Sequence, residues 1–92
     1  MANNFNINVS QTGESVCLKL SGEFDGSSAC ELLNLLNDGK LSANSKILVD
    51  TDLLKRIHPF GLEILHSRLQ ERKMKEVPLF FTGQFSTRFT SQ

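Results

Sequence analysis

The sequence lacks tryptophan and tyrosine and has only two cysteines, two prolines and two histidines among its 92 residues. Cys17 and Cys30 form no CxxC pair and have no histidine cluster beside them, so neither a disulfide framework nor a zinc site is indicated. His58 and His66 lie about 80° apart on a predicted helix and two turns away from each other, so they do not form a metal pair. The segment from Gly22 to Gly26 lacks the spacing of a phosphate-binding loop. We therefore expect no metal and no cofactor.

Charge and hydropathy argue against two further classes of protein. Lysine plus arginine number 10 and aspartate plus glutamate number 10, so the net charge of zero gives no indication of a nucleic-acid surface. No apolar run reaches the roughly 20 residues that a membrane-spanning helix needs, and the opening MANNFNINVS lacks the basic and apolar regions of a secretory signal. We expect a cytoplasmic protein with no direct membrane insertion.

The first half of the chain predicts two strands and a helix. Residues 5–9 and 16–21 alternate apolar and polar side chains on either side of the turn signal QTGE, as is typical of a hairpin. A helix is predicted after Ser28, because apolar residues follow at i, i+3, i+4 and i+7 spacing and Ser28 with Glu31 fits the S-x-x-E capping box. Gly39 predicts the end of that helix.

The second half predicts a strand, a helix, a strand and a short final segment. Residues 46–50, KILVD, read as an interior strand, and residues 78–83, PLFFTG, as another. Between them, Pro59 suits the first position of a helix that should run to about Lys73. Residues 84–92 form a short helix or a loose tail. On the second helix the core stripe comprises four residues that share one face: Gly61, Leu62, Leu65 and Leu69.

The whole chain, residues 1–92, therefore predicts a single α/β domain with the order ββαβαβ and a further short helix. Its mixed sheet should have about four strands, with the helices packed on it.

Three short motifs resemble those of the STAS family, the fold of the bacterial anti-sigma factor antagonists and of the cytoplasmic tails of sulphate transporters. Residues 18–25, LKLSGEFD, resemble the family's φxφxGELD opening, residues 47–50, ILVD, lie where the family has its ILDLS strand, and residues 57–62, IHPFGL, resemble φDSSGL. The resemblance covers roughly residues 14–83 and implies a STAS-like fold. It also implies that the chain is C-terminally short, since the family usually adds a helix and often a strand after the element near Phe80. A sheet edge or core flank is then left for a partner or a second copy of the chain to cover.

The resemblance also implies a change at the regulatory position. In anti-sigma factor antagonists the serine after the Asp of DSSG is phosphorylated by a partner kinase that also acts as the anti-sigma factor, and the phosphate abolishes binding. Here His58 takes the place of the Asp, Pro59 that of the phosphoacceptor and Phe60 that of the second serine. Proline has no hydroxyl, so the charge of about −1.5 to −2 that drives such a switch cannot be attached there. The resemblance carries over the docking geometry but not the usual regulation.

Two candidate sites follow at the start of the second helix. Phe60 and Ile64 are an i, i+4 apolar pair displaced from the core stripe, so either they form an exposed anchor for a partner or a neighbouring loop such as residues 52–56 folds over them. His58 is a phosphate carrier, a general base or a helix residue without chemistry, and a chemical role requires an orienting acid and a nucleophile within reach. Five residues from nearby loops are candidates for those two roles: Asp25, Asp50, Asp52, Ser27 and Ser28.

The sequence therefore predicts a non-enzymatic, protein-binding STAS module that regulates transcription as an anti-sigma factor antagonist does, with an anti-sigma factor or kinase-like regulator as partner. One alternative is a STAS subunit of an ABC-type transport complex, docked on a transporter ATPase. Another is a small-ligand or phosphoryl-transfer protein that uses His58. In the family the loop after GELD lies beside the phosphoacceptor loop, which adds two residues to the predicted partner-binding set: His58, Pro59, Phe60, Gly61, Ile64, Asp25 and Ser27.

Overall fold

The computed structural model describes residues 4–37, 45–69 and 77–90 of the chain. Within these ranges, four strands and three helices follow one another in the order ββαβαβα, as the sequence predicts. Their bounds are β1 Asn6–Thr12, β2 Ser15–Phe24, α1 Gly26–Leu36, β3 Lys46–Ile57, α2 Pro59–Leu69, β4 Leu79–Thr82 and α3 Ser86–Thr90.

The four strands form one mixed sheet in the order β1-β2-β3-β4. β1 pairs with β2 as an antiparallel hairpin, while β2 with β3 and β3 with β4 are parallel. Each parallel connection runs through a helix, α1 for the first and α2 for the second. The predicted α/β architecture with a four-stranded mixed sheet is thus confirmed.

The core lies on one face of the sheet, between the central strands and the helices. Alternate residues of β2 are buried, among them Leu18 and Leu20, and Leu18 pairs with the buried Val49 of β3. Leu32 and Leu36 of α1 are also fully buried. Residues on the opposite face of β2, such as the exposed Lys19, carry the polar half of the alternation.

β3 is much longer than the sequence predicts. The predicted strand ends at residue 50, whereas β3 continues to Ile57, so residues 52–56 belong to a strand and not to a loop. The register between β2 and β3 shifts twice, between Lys19 and Ser21 and between Gly22 and Glu23. Each shift breaks the strict alternation of buried and exposed residues, so the second half of β3 lacks the sequence signature of a strand.

The start of α1 also differs from the prediction. The N-cap is Asp25, whose carboxylate accepts a hydrogen bond from the Ser28 backbone N–H at 3.0 Å, so the helix begins at Gly26 and Ser28 lies inside its first turn. The predicted Ser28–Glu31 capping box is therefore wrong, because the observed N-cap lies three residues before Ser28. α1 ends at Leu36 with Asn37 as its C-cap, and the predicted stop at Gly39 and the predicted end of α2 at Lys73 lie outside the described residues.

The last two helices complete the core. α2 buries Gly61 and Leu65 fully and Leu62 and Leu69 partly, which is the predicted stripe. α3 buries Phe89, whose ring is 5.0 Å from that of Phe24 in an edge-to-face contact. No helix in the described ranges is long and apolar enough to cross a membrane.

Candidate functional site

The ends of β2 and β3 bring together the two segments in which the sequence places its candidate residues. The backbone N–H of His58 donates to the carbonyl of Phe24 at 2.8 Å, so the residues that leave the two strands lie side by side. One turn into α2, Gly61 approaches the preceding loop so closely that a Cβ at this position would lie 2.7 Å from the carbonyl oxygen of Asp25. Asp25 and the start of α2 are therefore in direct contact, as the resemblance implies.

Phe60 is exposed at this junction. Its side chain is 64% exposed, because Gly61 and Leu65 define the buried face of α2 and the preceding residue points about 100° away from Gly61. The ring lies against the first residue of α1: a Cβ on Gly26 would meet ring carbons of Phe60 at 3.1 Å and the Cδ1 atom of Ile64 at 3.4 Å. Residues 52–56 do not form a covering loop, because they are part of β3.

We call the four residues Gly26, Pro59, Phe60 and Ile64 the entrance patch. Pro59 and Phe60 are exposed, and Gly26 and Ile64 are half-buried. An exposed phenylalanine ring contributes little to folding, whereas burying it fully is worth roughly 1.5–3 kcal/mol. A partner that covered the patch would gain the larger part of that free energy.

Asp25 organises the loop beside the patch. Its Oδ1 atom accepts hydrogen bonds from the Ser28 N–H, from the Ser28 hydroxyl at 2.9 Å and from the Ser27 hydroxyl at 3.1 Å. The Ser28 hydroxyl also lies 2.9 Å from the carbonyl oxygen of Glu23. Asp25 is therefore a helix cap whose backbone supports Gly61, and Ser27 is the exposed member of the group.

His58 lies beside an acid that the sequence does not single out. Its Nε2 atom is 3.6 Å from Oε1 of Glu23, and both side chains are about 40% exposed. The predicted strand ends at residue 21, whereas β2 extends to Phe24 and so includes Glu23. The pair can form an exposed ion pair when His58 is protonated, and an exposed pair of this kind adds little stability.

The other acids proposed as neighbours of His58 make their hydrogen bonds elsewhere. Oδ1 of Asp50 accepts from the Asp52 N–H, and Oδ1 of Asp52 accepts from the Gln84 N–H at 2.7 Å, which fixes the turn after β4. The hydroxyls of Ser27 and Ser28 bond to Asp25, so neither is positioned on His58 as a nucleophile. Within residues 4–37, 45–69 and 77–90, no group of three His, Cys, Asp or Glu side chains could hold a metal ion.

An open cleft of about 390 Å³ has Glu23 among its lining residues. Leu53, which is 57% exposed, forms part of its wall. Sequence reasoning missed this cleft because it placed residues 52–56 in a loop. Six residues line it: Asn4, Ser21, Gly22, Glu23, Leu53 and Lys55.

Comparisons with known proteins identify the fold. No protein-family model matches the chain, and no curated protein matches it either. Among solved structures, it is similar to an anti-sigma factor antagonist from Mycobacterium paratuberculosis with 17% identity and a TM-score of 0.64, covering 92% of this chain and 73% of that one. It is also similar to the anti-sigma factor antagonist SpoIIAA in its unphosphorylated form, with 15% identity and a TM-score of 0.62, covering 91% of this chain and 76% of that one.

A further similarity is to a part of a larger protein. The structure of Mglu matches with 19% identity and a TM-score of 0.67, covering 80% of this chain but only 18% of that chain. The chain therefore spans less than a fifth of that protein. The two antagonists are matched over most of their own length, and at these identities the similarity concerns the fold. The predicted fold is confirmed: the chain has the STAS fold of the anti-sigma factor antagonists.

Proposed function

We propose that this chain is a non-enzymatic, cytoplasmic protein-binding module that works as an anti-sigma factor antagonist does, and that its partner docks on the entrance patch. The proposal rests on Phe60, whose side chain is 64% exposed at the point where α2 meets the Asp25 loop. Aromatic side chains, phenylalanine among them, are enriched in protein interfaces, and a few buried anchor residues supply most of the binding energy there.

The residues of the predicted partner-binding set have different roles in this proposal. Phe60 is the anchor, and the exposed Pro59 and half-buried Ile64 extend its apolar surface. Gly61 is buried and contributes by letting the Asp25 loop approach. Polar groups at the rim come from the half-exposed His58 and from Asp25 and Ser27.

The proposed binding is not controlled by a phosphate at position 59. Pro59 is exposed at the first position of α2, where its ring offers apolar surface and no atom that a kinase can modify. Binding through Phe60 relies on burial of apolar surface, so the module binds constitutively or is regulated at another position. The proposed partner is an anti-sigma factor or kinase-like regulator. A transporter ATPase as partner would instead make the chain a subunit of a transport complex.

The alternative of phosphoryl transfer through His58 has one observation in its favour, the Glu23 carboxylate 3.6 Å away. An acid-labile label from ATP in the presence of a cognate kinase, lost in a His58→Ala variant, would establish that reaction. If no residue is labelled, this alternative is ruled out.

A capture experiment from the native cell tests the docking proposal and identifies the partner. The bait is the full chain, intact or with Phe60→Ser, and the matched control is Phe80→Ser, which removes a phenylalanine that is 49% exposed on the other face of the sheet. A regulator or ATPase retained by the intact chain and the control, and lost with Phe60→Ser, supports the proposal. Equal retention by all three baits contradicts the proposed face.

A further inference from the structure

Among the strands that the structure describes, β1 forms a sheet edge without the usual protection against pairing. It pairs with β2 on one side, over seven residues in an uninterrupted register, and its sequence NINVSQT contains no charge and no proline. Edge strands are ordinarily kept apart by charges, prolines, bulges or short length. The opposite edge, β4, is only four residues long and directly follows Pro78. Of the two edges, β1 is the one suited to accept another strand.

An apolar row that crosses the sheet ends at this edge in an exposed side chain. Phe81 pairs with Val49, Val49 with Leu18 and Leu18 with Val9, so the four side chains stand side by side on the face that the helices cover. Leu18 and Val49 are completely buried, whereas Val9 is 51% exposed. Val9 is also the central residue of β1. The apolar row therefore ends in a half-exposed valine at the middle of an open sheet edge.

We propose that β1 is a self-association surface, and that a second copy of this chain pairs with it antiparallel about Val9. The two sheets then become one continuous sheet with a two-fold axis at its centre. Val9 of one copy faces Val9 of the other, and the apolar row continues from one core into the next through Leu18. Antiparallel pairing of identical strands is self-complementary, which is the property that a two-fold interface requires.

The chemistry of β1 favours a second copy over a strand of another kind. Self-pairing places Val9 opposite its own copy and the residues next to it near theirs, so a charge near the centre would repel its own copy, and Asn6–Thr12 carries none. On the opposite face, Asn8 of one copy stands across from Ser10 of the other, and the two side chains offer both donors and acceptors. The axis lies at the β1 edge and the entrance patch follows β3, with β2 between them, so this inference is independent of the proposed function.

Sedimentation equilibrium over a wide concentration range tests the proposal with variants that introduce a positive or a negative charge at position 9. The intact chain should form a concentration-dependent dimer, and Val9→Lys or Val9→Glu alone should raise its dissociation constant roughly tenfold, because an apolar pair is replaced by two like charges. An equal mixture of the two variants should associate again. Leu53→Lys, which places a lysine at a site 57% exposed outside β1, is the control and should leave the dimer unchanged.

A second measurement on the unaltered protein needs no substitution. Hydrogen exchange at the amides of β1 should slow as the concentration rises, while exchange at the exposed residues of β3 should not change. A chain that stays monomeric at millimolar concentration overturns the proposal. So does a dimer that Val9→Lys leaves intact, or a mixture of folded variants that fails to associate.

Discussion

Gly61 is the residue that allows the start of α2 to touch the loop before α1. A Cβ at this position would lie 2.7 and 2.8 Å from the carbonyl oxygen and carbon of Asp25, and backbone atoms cannot move aside as a flexible side chain can. Gly26 occupies a comparable first-turn position in α1, but a Cβ there would meet the exposed ring of Phe60 at 3.1 Å. The two glycines differ because the Phe60 ring beside Gly26 can move, whereas the Asp25 backbone beside Gly61 cannot.

This difference predicts that the same substitution destabilises the protein at Gly61 and has little effect at Gly26. Gly61→Ala should lower the free energy of unfolding by about 1–3 kcal/mol through overpacking against backbone. Gly26→Ala, the matched control, should change it by less than about 0.5 kcal/mol, because the Phe60 ring can rotate and alanine favours the helix. Urea unfolding of both variants checks this. A Gly61→Ala protein as stable as the original chain would show that the Asp25 loop is not fixed against α2.

At the residue scale, the displacement of Phe60 from the core stripe was predictable, whereas its exposure and the position of Glu23 were not. The spacing of Gly61, Leu62 and Leu65 fixes the buried face of α2, and Phe60 falls off that face whatever the rest of the fold does. Glu23 reaches His58 only because β2 extends further than its alternation indicates. Contacts of that kind depend on strand register, which short sequence patterns do not encode.

Among the elements, α1 shows most directly how a local hydrogen-bond network sets a helix boundary. Oδ1 of Asp25 accepts from the Ser28 N–H and from the hydroxyls of Ser27 and Ser28, and the Ser28 side chain is 1% exposed. The buried serine is held inside the first turn, so it cannot act as the cap.

Substitutions at Asp25, the observed N-cap, and at Glu31, a member of the predicted capping box, should distinguish the two assignments of the helix start. Asp25→Ala should cost about 1 kcal/mol of stability because the cap acceptor is lost, whereas Asp25→Asn, which keeps an oxygen at the same place, should cost clearly less. Glu31→Ala removes the partner of the predicted capping box and should have an effect within about 0.5 kcal/mol. Thermal unfolding monitored by circular dichroism provides the measurement. A larger loss of stability from Glu31→Ala than from Asp25→Ala would contradict Asp25 as the N-cap and favour the Ser28–Glu31 capping box.

The elements were predictable in kind and order, and less so in their limits. α1 and α2 carry helical periodicity strong enough to identify them, and the alternation in β2 identifies a strand. β3 loses its alternation after Thr51 because the register with β2 shifts, so its second half looks like a loop in the sequence. That half forms part of the wall of the cleft through Leu53, and the cleft was missed for the same reason.

Over the whole molecule, α3 closes the core through one side chain. Phe89 is 1% exposed and contacts two other rings, Phe24 at 5.0 Å edge-to-face and Phe81 at 5.2 Å stacked. The His66 Nε2 atom lies 2.6 Å from the carbonyl oxygen of Phe89, which ties α2 to α3. A helix of only five residues has little stability of its own and depends on such contacts.

Removing this contact should therefore affect the whole domain. Phe89→Ala should destabilise it by about 3–5 kcal/mol, a large fraction of the 5–15 kcal/mol expected of a small domain. Phe80→Ala, at a ring 49% exposed, is the control and should cost much less. Denaturant unfolding of both variants gives the comparison. Equal effects would mean that α3 is not part of the cooperative core.

The most direct test of the account is the affinity of the purified partner for the chain with and without the Phe60 ring. Phe60→Ser should weaken binding by roughly 2 kcal/mol or more, about thirtyfold in the dissociation constant, because the exposed ring is the proposed anchor. The matched Phe80→Ser variant should bind as the original chain does. Calorimetric titration of the three proteins decides the matter: a selective loss with Phe60→Ser is the predicted result, and an unchanged affinity in that variant would contradict docking at the entrance patch.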